Sequence, residues 1–118
     1  MKSKKELKDS YKDKKFKIGV FQIKNTINNK IYIESSTDLV AIWNRSRFQL
    51  NNGLHPNLVL QNEWNEFGQE SFAYEILSEI KQEDNKTIDY YRKEAKELEK
   101  MFIEHLKPFG VNGYNSEK

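Results

Sequence analysis

Few side chains in this sequence are equipped for chemistry, and they are scattered. There is no cysteine, and the only histidines are His55 and His105. Thiolate nucleophiles, disulfides and thiolate metal centres are therefore excluded. What remains is Tyr32 with Glu34 two residues on, the hydroxyl-rich run Ser35-Ser36-Thr37-Asp38, Arg45 and Arg47, His55 between Gly53 and Pro56, Glu99, and Asn115 near the end. Taken singly, each has an ordinary structural explanation. Tyr32 falls in an apolar run and suits a cross-strand packing partner. Glu99 follows Leu98 and lies on the side of Phe102 and Leu106, so it borders an apolar helix face, unlike Glu97 or Glu104. His105 near a helix end suits the helix dipole, and Asn115 suits bridging of backbone.

The elements that must position these groups follow from periodicity. Residues 19–34 hold two short apolar runs, 18–23 and 31–33, split by Asn25-Thr26-Ile27-Asn28-Asn29-Lys30. Asparagine tolerates the left-handed backbone of a tight turn, so this stretch predicts a β-hairpin. Phe16 is expected to open its first strand, with Phe16, Ile18 and Val20 on one face and Phe21 and Ile23 on the other. Ser35 to Asp38 supply N-cap groups, and Leu39, Ile42, Trp43, Ser46 and Leu50 recur at helical spacing, which predicts a helix over 38–50 ended by Asn51-Asn52-Gly53. Leu60, Trp64 and Phe67 predict a second helix closed by Gly68. Phe72, Tyr74 and Ile76 alternate as a third strand, and Tyr91, Ala95, Leu98, Phe102 and Leu106 mark a long last helix stopped by Pro108 and Gly110. Trp43, Trp64 and Phe67 read as core. The order β-β-α-α-β-α over 18–118 predicts one small α/β (α+β) domain, a three-stranded sheet with flanking helices, preceded by a basic arm or short helix over 1–17.

Composition narrows the classes. The 118 residues, 36% hydrophobic and 32% charged, fit a single domain with amphipathic helices. No apolar run approaches a membrane span, and the first 17 residues lack the apolar core of a signal peptide, so a cytoplasmic protein without a membrane partner is expected. The formal charge is +2, yet residues 1–17 hold eight lysines against three acids, leaving the remainder net acidic. Such an arm, including Lys14, Lys15 and Lys17, either solubilises the chain or gives salt-sensitive attraction to nucleic acid.

Set in order, Gly19-Val20-Phe21, Tyr32-Ile33-Glu34, the helix with Trp43, Leu60-Gln61-Asn62 with Trp64-Asn65 and Gly68, Glu99, and Asn112-Gly113-Tyr114-Asn115 resemble the GIY-YIG nuclease domain. The likeness runs over 19–115 and is nearest to the catalytic domains of phage homing endonucleases. It implies a GIY-YIG-like fold, phosphodiester hydrolysis, one Mg²⁺ or Mn²⁺ held by Glu99, and nucleic acid, chiefly DNA, as partner, with no small-molecule cofactor. A metal-binding carboxylate, a proton acceptor and a cation facing phosphate are what such hydrolysis needs.

Carried over by position, the resemblance keeps Tyr32, His55, Glu99 and Asn115. It departs from the family at four places: Phe21 replaces the first tyrosine, Glu34 a glycine, Ile42 the arginine and Ser46 a histidine. Arg45, three residues after Ile42 and near the same helix face, is the stand-in for the arginine, and Glu34 a second carboxylate near Glu99. The implied catalytic set is thus Tyr32, Arg45, His55 and Asn115, with Arg47 and the arm lysines Lys14, Lys15 and Lys17 on nucleic acid. The run over 42–50 is similar to small stand-alone members with degenerate motifs. The expected function is nucleic-acid binding with cleavage lost or strongly reduced. The alternatives are an active metal-dependent endonuclease with a rearranged site, and a regulatory module that binds protein.

Overall fold

The chain is described here by a computed structural model covering residues 16–117. The helix expected before residue 15, with Lys14 and Lys15, lies outside the described residues. Elements follow in the order β1 (Gly19–Asn25), β2 (Ile31–Ser36), α1 (Leu39–Asn51), α2 (Leu58–Phe67), β3 (Phe72–Glu79) and α3 (Ile88–Leu106), with 3-10 turns at Gln69–Ser71 and Gly110–Asn112. The sheet is antiparallel in the order β2-β1-β3, so the first strand is the central one. This is the small α+β architecture expected.

The hairpin closes as its asparagines dictate. Asn29 takes φ 65°, in the left-handed region. The Asn25 and Asn28 side chains accept from the amides of Ile27 and Lys30 at 2.9 and 3.0 Å. The loop is then anchored by Glu63 of α2, which accepts from Asn28 Nδ2 (2.6 Å), Tyr114 Oη (2.9 Å) and Lys30 Nζ (3.1 Å). Burial opposes the charge on Glu63, but these donors outweigh it and hold the carboxyl below its ordinary range.

Alternation along β1 and the residue just before it sends side chains to two cores. Phe21 and Ile23 join Leu39, Leu50, Leu60 and Trp64 beneath α1 and α2. Ile18 packs with Tyr91 and Ala95 of α3 on the other face. One strand thereby holds both helical layers, each large apolar side chain contributing about 1.5–3 kcal/mol. β1 begins at Gly19 and not at Phe16, which is 63% exposed. The reason is a contact distant in sequence: the Lys17 carbonyl accepts from Leu39 N (2.9 Å) and is committed to the start of α1.

Helix ends match their capping residues. Asp38 accepts from Ala41 N, Asn57 from Leu60 N and Thr87 from Tyr90 N, while Gly68 (φ 87°) closes α2. Past α3 the chain turns at Pro108 and runs along β2. There Gly113 forms a parallel bridge to Ile31, and Tyr114 N donates to the Ile31 carbonyl at 2.9 Å. No helix among the described residues is long and apolar enough to cross a membrane.

Candidate active site

The register of the hairpin decides which groups meet. Phe21 lies directly opposite Glu34, and Ile23 opposite Tyr32. Opposed residues share a face, so Tyr32 and Glu34 stand on the side of Phe21. The Tyr32 hydroxyl donates to Glu34 Oε2 at 3.3 Å. Phe21 is wholly buried, its ring 5.2 Å from that of Tyr74.

His55 is buried and meets the Tyr32 ring edge-on at 5.6 Å between centroids. Its amide donates to Gln61 Oε1 (3.0 Å), and its Nδ1 accepts from Asn57 N (3.0 Å). That bond needs Nδ1 bare and leaves the ring proton on Nε2. Burial, with Arg45 nearby, pushes the imidazole pKa down, so His55 is neutral at pH 7.

Glu99 approaches β2 from α3. Its Oε1 accepts from Ser35 N at 2.7 Å, and its Oε2 lies 3.7 Å from Lys96 Nζ. Asn115 uses its amide at both ends on one residue: Oδ1 accepts from Ile33 N and Nδ2 donates to the Ile33 carbonyl, each at 2.9 Å. Asn115 therefore positions β2; its amide is committed to backbone, which bears on the catalytic role expected for it.

Two clefts adjoin this cluster. One of about 780 Å³ is lined by Tyr32, Asn57, Glu99, Lys100 and Asn115 among others. The second, about 250 Å³, takes in Glu34, Ser36, Ile42, Arg45, Arg92 and Lys96. The hydrogen-bonded pair Tyr32–Glu34 places one member in each. Arg45 and Ile42 share the second cleft, as their helical spacing implied. Arg47 does not reach either cleft: its guanidinium lies 5.8 Å from the Trp43 ring centroid and donates to Asn44 Oδ1. Lys17 is exposed beside the start of α1, in a separate depression with Asp38 and Asn44. Ser46 is buried. Sequence reasoning missed Arg92 and Lys96, although their positions seven and three residues before Glu99 put all three on one helix face.

Electrostatics sets protonation here. Burial, followed by the Glu34 carboxylate and Glu99, pushes the Tyr32 phenol far above its usual range, so it keeps its proton. Glu34 is raised as well, by burial and by Glu99, against opposing effects of the Tyr32 bond, Lys96 and Arg45. A carboxyl raised in the folded state gives its stability below the unfolded pKa of about 4.3 and loses it as pH rises through the folded value. Ionised Glu34 is thus a cost at pH 7. Glu34→Gln is expected to raise Tm at pH 7, with the gap closing as pH falls toward 4. An equal or lower Tm at pH 7 would refute that burden.

Among the described residues no group of three or more His, Cys, Asp or Glu converges as a metal cage. The oxygen donors present, Glu99 with Glu34 nearby, do fit a hard cation of the Mg²⁺ type, which takes one or two carboxylates and completes its shell with water and substrate phosphate.

The sheet and its flanking helices thus form a small α+β domain with two clefts and two neighbouring acids, Glu34 and Glu99, beside them. No known family profile matches the sequence. The catalytic domain of homing endonuclease I-TevI superposes with TM-score 0.67 at 35% identity, over 86% of this chain and 99% of that one. A glutamate-to-alanine mutant of the intron endonuclease I-TevI catalytic domain gives TM-score 0.69 at 35% identity, over 85% and 93%. Intron-associated endonuclease 1 of Enterobacteria phage T4 is 37% identical over 99 residues, 84% of this chain. The chain spans about a third of that phage protein, 36% of its length. It belongs to the GIY-YIG-like family represented by the I-TevI catalytic domain.

Proposed function

We propose that this chain is a GIY-YIG domain that binds nucleic acid, DNA foremost, and cleaves phosphodiesters at a strongly reduced rate. The observation that carries the reading is the Tyr32–Glu34 contact. The family pattern has glycine where Glu34 stands, and here a carboxylate occupies the space between Tyr32 and the Arg45 cleft and binds the tyrosine hydroxyl. Tyr32 keeps its proton, His55 has Nδ1 occupied, Phe21 has no hydroxyl, and Ile42 gives no positive charge. Arg45 is the cation left to face a phosphate, with Arg47 and the arm residues Lys14, Lys15 and Lys17 available for outlying contacts. Glu99 would hold Mg²⁺ or Mn²⁺, which when bound neutralises phosphate charge and acidifies water. Asn115 fixes the strand that carries Tyr32.

A second reading is favoured by the same Glu34. A half-buried carboxylate with a raised pKa, hydrogen-bonded by Tyr32 and opposite Arg45, is suited to act as general base, which would make the chain an active endonuclease with a rearranged site.

Supercoiled plasmid with Mg²⁺ or Mn²⁺, together with labelled DNA in gel shift at rising salt, separates these. The expected result is a salt-sensitive shift and slow nicking that Glu99→Gln removes, glutamine retaining the acceptor for Ser35. Rapid nicking lost in Glu34→Gln would establish the second reading. Absence of any shift would leave a protein-binding regulatory role.

A further inference from the structure

Both clefts share one wall. Arg92 and Lys96 line the second, and Lys100 lines the first, all on one face of α3. Four-residue intervals at 1.5 Å per residue put successive cations about 6 Å apart and the outer two about 12 Å apart along a straight helix. The side chains of Arg92 and Lys96 are 54% and 58% exposed, whereas that of Glu99 is 16% exposed. Cations therefore form the rim and the acid lies deeper.

Arg92 pairs with Asp89, and Lys96 with Glu99 at 3.7 Å. Arg92–Asp89 is an exposed pair of the kind worth little, and Lys96 meets the deeper Glu99 only at 3.7 Å, so both cations can turn to a phosphate. Across the second cleft stand Arg45 and the hydroxyl-bearing Thr37, donors that suit phosphate oxygens.

We propose that this face of α3 is the track on which a bound nucleic-acid strand lies, with its phosphates at Arg92, Lys96 and Lys100. The strand passes from the second cleft into the first across Glu99. Evenly spaced charge along a line that joins two clefts matches a polymer of regularly spaced anions, which a single bound ion would not require. This rests on the nucleic-acid reading above and specifies where the backbone runs.

The test is fluorescence anisotropy of a labelled DNA duplex and single strand with the full chain, from about 50 to about 200 mM salt. Arg92→Gln, Lys96→Gln and Lys100→Gln combined should weaken binding at least about tenfold and lower the salt slope by about 2 to 3. The exchanges Arg92→Lys, Lys96→Arg and Lys100→Arg should preserve the slope. Lys81→Gln and Lys86→Gln combined, removing charge from the loop before α3, should also leave it unchanged. An unchanged slope in the track variant, or an equal fall in the control, overturns the track while nucleic-acid binding stands. If the unaltered protein shows no salt-dependent binding, the track and the proposed function fall together.

Discussion

Phe21→Tyr, Glu34→Gly and Ile42→Arg combined in one chain are expected to raise metal-dependent nicking of supercoiled DNA by about three powers of ten. Two groups are returned: a hydroxyl at the hairpin and a guanidinium on α1. Each is worth roughly two to three powers of ten at a charged transition state, and groups that act as a unit are not additive. Phe21 and Glu34 oppose each other on one face, so the first two changes fall at one register position of the hairpin. Ile42 already lines the second cleft, and an arginine stem can run over the same apolar wall and present its head there. The single variant Glu34→Gly decides between the two readings of the site. A rise in nicking agrees with an obstructing carboxylate; a fall identifies Glu34 as the working base. A combined variant that folds, binds DNA and cleaves no faster than the parent would refute reduced cleavage as the explanation of these substitutions.

Gly19→Ala should destabilise the domain by about 3 kcal/mol and lower Tm by about 10 °C or more, read by thermal circular dichroism. A Cβ at Gly19 would lie 1.9 Å from the Ser78 carbonyl oxygen and 2.9 Å from its carbon. Those atoms are backbone, and they cannot swing aside as a side chain would. β3 would have to draw back from the central strand, next to the irregularity in register between Val20 and Phe21. A Tm within about 2 °C of the parent would contradict this close approach. The glycine that opens the first motif is thus required by sheet packing, whatever the fate of the chemistry.

Local rules made much of the fold legible. The Asn25 to Lys30 break predicted the turn because asparagine both adopts positive φ and bonds its own backbone. Asp38, Gly68 and Pro108 marked helix limits because a cap or a missing amide acts within one turn. The Phe16 start failed because the Lys17 carbonyl is taken by α1, a contact between distant elements that no periodicity encodes. The same holds for the site. Tyr32 with Glu34, and Arg45 with Ile42, could be paired from two-residue and three-residue spacing. Asn115 on Ile33, Glu63 on the hairpin loop, and Arg92 and Lys96 in the second cleft depend on how α2, α3 and the last segment pack on the sheet.

The outer side of β2 is closed along its length by groups remote in sequence. Tyr114 N serves Ile31, the Asn115 amide serves Ile33, and Glu99 serves Ser35. A sheet border with its donors and acceptors so engaged offers no template for strand addition by a second molecule. Two of the residues proposed at the site therefore also guard against edge-to-edge aggregation. Exchanging them affects solubility as well as turnover.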